Sequence, residues 1–125
     1  MKRVLASSKV PAAIGPYSQA IETEGLVFVS GQLPIDPATG DLVEGVREQT
    51  RQSLTNICHI LEEAGLKMHD VIKTTVLLQH MSDFADMNEV YGTFFEKDAP
   101  ARICFEVAAL PKGALVEIEA VAAKN

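Results

Sequence analysis

The 125-residue chain is long enough to bury one core, and residues 1–125 are read as a single domain. Its net charge of −6 counts against nonspecific nucleic-acid binding, which is driven by Lys and Arg neutralising phosphates. An apolar content of 47% and a mean hydropathy of +0.11 are high for a soluble monomer of this size, and fit a domain that also buries surface against copies of itself.

The N-terminus carries Lys2 and Arg3 but no apolar stretch of signal-peptide length behind them. No apolar run approaches the roughly 18 residues of a membrane-spanning helix. A short strand is expected around Arg3–Ala6. Residues 11–20 hold too many breakers for a helix or a central strand, and Ile14 and Tyr17 are costly to expose, so an ordered loop is expected. Leu26–Ser30 reads as a short apolar strand ended by Gly31-Gln-Leu-Pro34, and Asp36–Gly40 carries turn residues.

From Val46 to Ala64 the period becomes helical. Val46, Thr50, Leu54, Ile57, Leu61 and Ala64 recur at steps of three and four, and Gly65 is the natural stop. Val71–Gln79 is β-branched and nearly continuously apolar, as a central strand should be. Ser82 is placed to cap a second helix with Asp83 in its first turn. Phe84, Met87, Tyr91, Phe94 and Phe95 form the stripe of that helix, and Asp98-Ala-Pro100 ends it. Pro100–Val107 and Val116–Val121 read as two closing strands. The order implies a two-layer α+β domain with both helices on one sheet face.

Alternation in those last strands puts Ala101, Ile103, Phe105 and Val107 on one side and Arg102, Cys104 and Glu106 on the other. Pairing the two strands as a hairpin sets Glu117 opposite Arg102 or Cys104. Shifting that register by one residue would put the carboxylates against Ile103 and Phe105. The expected arrangement is an apolar face building the core and a mixed face, with Arg102, Cys104, Glu117 and Glu119, covered by another subunit.

Arg102 has two readings: a structural ion pair with Glu106, Glu117 or Glu119, or a guanidinium that waits for an anionic ligand. Cys104 likewise reads as a thiol nucleophile or as a small buried strand residue whose backbone matters. His59, His69 and His80 reproduce no compact metal signature, so no metal is expected. Cys58 lies in a predicted helix and Cys104 in a predicted strand, which implies two free thiols in a reducing cytoplasm.

Pro11–Ala20, Ser30–Pro34, Gln52–Asn56, Lys73–Val76, Asn88–Tyr91, Pro100–Arg102, Glu106–Val107, Leu110–Lys112 and Val116–Glu119 together resemble the RidA (reactive intermediate deaminase) family, in order and over nearly the whole chain. The resemblance implies a chorismate mutase-like fold with a mixed six-stranded sheet and two helices on one face. It further implies a homotrimer whose sheets form a central barrel, with clefts between subunits. The last strand would then lie between the Leu26–Ser30 and Val71–Gln79 strands, which breaks the hairpin but leaves Arg102 and Glu117 on a shared face.

The implied reaction is hydrolysis of 2-iminobutanoate and 2-iminopropanoate, released as enamines by pyridoxal phosphate-dependent dehydratases, to 2-oxo acid and ammonia. By the same resemblance Arg102 clamps the carboxylate, the Cys104 backbone bonds the imino nitrogen and Glu117 orients water. Tyr17, Ser30, Gly31 and Asn88 line the cleft, and no cofactor is needed. Rival readings within the family are a metabolite-binding regulatory trimer, a ribonuclease or translation inhibitor, and a chaperone-like protein. The acidic balance opposes the nuclease.

Overall fold

The computed structural model describes residues 1–125. In chain order the elements are β1 (Arg3–Leu5), β2 (Ala20–Thr23), β3 (Leu26–Gln32), β4 (Ile35–Asp36), β5 (Asp41–Leu42), α1 (Val46–Glu62), β6 (Val71–Leu78), α2 (Phe84–Phe94), β7 (Ala101–Glu106) and β8 (Val116–Ala123). Six strands form one mixed sheet in the order β1-β2-β3-β8-β6-β7, and β4 and β5 form a separate two-stranded hairpin. Only the β6–β7 pair is parallel. The strand over Ala20–Thr23 was not anticipated. It pairs antiparallel with β3 across the tight turn at Glu24-Gly25.

Both helices cover one face of the sheet. Leu54, Ile57, Ile60 and Leu61 of α1, with Met87 and Tyr91 of α2, pack against Val76, Leu78, Val116 and Ile118. Each fully buried aliphatic side chain contributes about 1.5–3 kcal/mol, so this layer holds the fold. The periodic residues of α1 are all buried. The helix closes as anticipated: Gly65, at φ 72°, donates its N–H to Glu62 O at 3.0 Å, and Leu66 N–H reaches Leu61 O at 3.0 Å.

The second helix starts differently from expectation. Ser82 lies exposed in a single 3₁₀ turn (Met81–Asp83), Asp83 precedes the helix, and no side chain caps it. Glu106 at the end of β7 anchors that turn instead, its Oε1 accepting the Met81 N–H at 2.8 Å.

The face away from the helices is open. Registers across β1, β2, β3, β8 and β6 align Val4, Ile21, Phe28, Val121 and Lys73 in one row. Val4, Phe28, Ile103 and Phe105 are 44–59% exposed. Ile103 and Phe105 therefore do not build the chain's own core, as the alternation had suggested. Packing places them on the side that no element of this chain covers. No helix is long and apolar enough to cross a membrane.

Candidate active site

Two clusters of candidate residues form, one on each side of the sheet. The first surrounds a bulge in β3. Val29 pairs with Ala120 but Gln32 with Ile118, so one extra residue is accommodated at Ser30-Gly31. Ser30 is held by its neighbours: its N–H donates to Gln19 O at 2.9 Å and its Oγ to Ser18 O at 2.6 Å. The bulge brings the Gly31 backbone under the Glu117 carboxylate. A Cβ at position 31 would stand 2.6 Å from Glu117 Oε2 and 3.1 Å from its Cδ. Gly31→Ala must therefore push that carboxylate aside; it should cost at least about tenfold in turnover with an unchanged circular dichroism spectrum, given how steeply rate depends on placement of reacting groups.

Tyr17, Ser30, Gly31, Glu117, Glu119 and Lys112 line a cleft of about 570 Å³, walled on its apolar side by Pro11, Ile14, Leu33 and Ile35. Burial raises the Glu117 pKa above the ordinary glutamate value, and the Glu119 charge on the same strand face adds to it. Tyr17 and Ile14 are 51% and 74% exposed. Their loop is thus ordered for a different reason from the one expected. The buried Gln19 side chain ties it down, Nε2 donating to Pro11 O (3.1 Å) and Oε1 accepting Ser7 N–H (2.7 Å).

From the helix side, buried α1 side chains hold the far wall. Ser53 Oγ donates to Gln32 O at 2.9 Å, and Asn56 Nδ2 to Ile35 O at 3.1 Å. Lys112 stands at the cleft with φ 60°, a backbone state that non-glycine residues adopt at some cost.

The second cluster is on the helix side, at the edge strand β7. The Arg102 guanidinium lies over two rings of α2, its Cζ 4.8 Å from the Tyr91 centroid and 5.5 Å from that of Phe84. Its Nη1 donates to Asn88 Oδ1 at 2.7 Å. Arg102 takes part in none of the chain's ion pairs, which disposes of a structural pair with Glu106, Glu117 or Glu119 within one chain. Cys104 packs against the core cluster. Burial pushes its thiol pKa up, against an opposing pull from Arg102, so a reactive thiolate is disfavoured.

The expected shared face is overturned. Leu77 of β6 aligns with Phe105 on one side and Glu117 on the other, and Thr75 aligns with Ile103 and Glu119. Glu117 and Glu119 therefore share the open face with Ile103 and Phe105, while Arg102 and Cys104 point to the helices. The carboxylates thus fall on the apolar side, as in the hairpin register set aside above, although here β6 lies between the two strands. That objection loses force for the exposed Glu119, which keeps its hydration, whereas the half-buried Glu117 bears a desolvation cost that shows in its raised pKa. The last strand does lie between β3 and β6, as the family resemblance implied, and the hairpin is absent. Tyr17, Ser30, Gly31 and Glu117 come together in one cluster, Asn88, Arg102 and Cys104 in the other. No three His, Cys, Asp or Glu side chains converge where they could hold a metal ion.

Known proteins share this fold. The family model described as Endoribonuclease L-PSP matches residues 7–124. The chain is 54% identical to the RutC family protein PH0854 of Pyrococcus horikoshii over the whole of both chains. It is 48% identical to the 2-iminobutanoate/2-iminopropanoate deaminase of Mus musculus, over all of this chain and 93% of that one. The chain belongs to the Endoribonuclease L-PSP family, which includes RidA. A crystal structure of E. coli TdcF with bound serine, also of this fold, superposes with a TM-score of 0.95 at 42% identity, covering 98% of this chain and 99% of the other.

Within this L-PSP fold, sequence reading missed Gln19, Lys112 and Tyr91 as parts of the two clusters. Gln19 sits inside one of the motifs that carried the resemblance, and a glutamine among loop breakers is a signal of backbone anchoring. Tyr91 was read as core only, which its burial supports; its position under Arg102 depends on tertiary packing.

Proposed function

We propose that this protein hydrolyses small 2-imino acids, 2-iminobutanoate and 2-iminopropanoate among them, to 2-oxo acid and ammonia. The observation that carries the reading is the chemistry of the two clusters. One offers a guanidinium without an anionic partner in its own chain, suited to a carboxylate. The other offers a partly buried carboxylate held over a bulged backbone, suited to aiming water. Curated relatives of nearly half identity over the full chain bear the deaminase name. The TdcF structure with bound serine supports a ligand of amino-acid size with a carboxylate.

The sheet separates Arg102 from Glu117, so one chain alone does not assemble the site. A homotrimer packing the open faces into a central barrel would cover Phe28, Ile103 and Phe105, and would let the partner subunit's Arg102 meet Glu117 in a cleft between chains. In that cleft Arg102 binds the carboxylate by two parallel hydrogen bonds. The edge position of β7 leaves part of its backbone without ladder partners, which supports a backbone contact from Cys104 to the imino nitrogen. Glu117 takes or aims the proton of the attacking water while Tyr17, Ser30 and Gly31 shape the wall. Asn88 acts by holding Arg102 rather than by lining the cleft on its own account.

Water adds to the C=N carbon, the carbinolamine collapses, and ammonia leaves with the proton. A protonated imine is already electrophilic, so positioning supplies much of the acceleration. The setting is a single RidA-like domain spanning 1–125, acting in the cytoplasm. The ribonuclease alternative gains no support here, because Glu117 and Glu119 line the cleft that would receive a phosphodiester and the net charge is −6.

The test supplies imine in situ from a threonine dehydratase and follows 2-oxobutanoate. Catalytic amounts of the protein should speed its appearance, and an unchanged rate would refute the deaminase reading. The same assay tests the shared cleft. Arg102→Ala and Glu117→Gln chains, each nearly inactive, should recover about a quarter of wild-type activity when co-assembled at random in equal amounts, because one cleft in four then receives both intact residues. No recovery in verified mixed trimers would place both residues' roles within one chain.

A further inference from the structure

Arg102 enters none of the chain's ion pairs, and the side chains set against its guanidinium are neutral. Asn88 orients Nη1 through an amide oxygen, and the Tyr91 and Phe84 rings receive the cation on their faces. A carboxylate partner would compete with an incoming acid for the same nitrogens, whereas an amide and two rings orient the group and leave its charge uncompensated. The seat is itself fixed. Tyr91 is buried, its hydroxyl shares a 2.6 Å hydrogen bond with the buried Thr74, and its ring packs 4.7 Å from that of Phe95. Thr74 is the β6 residue in register with Arg102 on β7, so the clasp under the ring and the arginine above it are set by one strand pair.

We infer that Tyr91, with Phe84, is a positioning residue for the carboxylate clamp: the two rings hold the guanidinium so that the edge left free by Asn88, Nε and Nη2, faces the substrate. The inference rests on the reading of Arg102 as the clamp. Long arginine side chains lose rotamer freedom when they bind, and a group already ordered by folding does not lose it again. The rings therefore act on affinity, and the chemical step carried by Glu117 is untouched by them.

The test measures KM and kcat in the dehydratase-coupled assay and Kd for 2-oxobutanoate by calorimetry. Tyr91→Leu should raise KM and Kd about 5–30-fold, the range of a desolvated cation–π contact, with kcat within about twofold. Tyr91→Phe keeps the ring face and should stay within about threefold of wild type. Tyr91→Leu protein with wild-type KM and Kd would overturn the inference, as would a fall in kcat at unchanged KM. If Tyr91→Leu fails to fold, Phe84→Leu, at a half-buried position, decides by the same criteria with an expected rise of about 3–10-fold. The two levels separate cleanly. Wild-type binding by Arg102→Ala would sink the clamp itself, whereas loss of binding there alongside intact binding by Tyr91→Leu would sink only the aromatic seat.

Discussion

Arg102→Ala protein should fold and assemble normally yet lose about 10²–10⁴ in kcat/KM for a 2-imino acid, two charge-assisted hydrogen bonds at about 1.5–3 kcal/mol each. The fold should survive because the side chain is only half-buried, forms no ion pair, and leaves behind only Asn88 Oδ1 with a lost donor. Arg102→Lys should recover little. An ammonium is a point charge without the planar fork, and it cannot lie across Tyr91 and Phe84 as a guanidinium does. Steady-state rates with in-situ imine, read beside circular dichroism and sedimentation, check the result. Wild-type kcat/KM in either variant would remove Arg102 from the site.

Glu117→Gln should lower kcat by about 10²–10⁴ if the carboxylate takes a proton from water as it attacks. A loss of a few-fold would reduce its role to placing water, which an amide can also do. The pH dependence gives an independent check. Burial first, and then the neighbouring Glu119, favour the protonated form of Glu117. Activity needing the carboxylate should therefore fail on the acid side at a pH above the ordinary glutamate range. The partner subunit's Arg102 would counter part of that rise in the assembled cleft.

Glu119→Gln removes a like charge, so the acid limb should move to lower pH; a limb that stays in place would separate Glu119 from the site. For folding the sign is opposite. With its folded pKa raised above the unfolded value, Glu117 contributes stability that is present below the unfolded pKa and is lost as pH rises through the folded one. Ionising Glu117 therefore comes at some cost to the fold.

Long periodic elements were legible from sequence alone. The burial of Val46, Thr50, Leu54, Ile57, Leu61 and Ala64 follows from their spacing, and the β-branched Val71–Leu78 run became the strand between β8 and β7. Ala20–Thr23 was not legible, because four residues with two polar side chains carry no clear alternation. The deeper miss concerned sidedness. Alternation shows which residues of one strand share a face, but says nothing about which face carries the helices. That depends on registers between strands distant in sequence, here the alignment of Leu77 with both Phe105 and Glu117.

The site residues were individually recognisable as types, an arginine among apolar neighbours and a glutamate in alternation. Their separation by the sheet was not. Nor was the aromatic seat, since a tyrosine at helical spacing is core whether or not a cation lies on it.

The partition of Arg102 and Glu117 by a single layer of strands has a kinetic corollary. Catalysis would switch on with association and off with dissociation, with no feebly active lone chain in reserve. Specific activity would then fall on dilution while each molecule kept its helices and strands, so that turnover becomes a gauge of assembly.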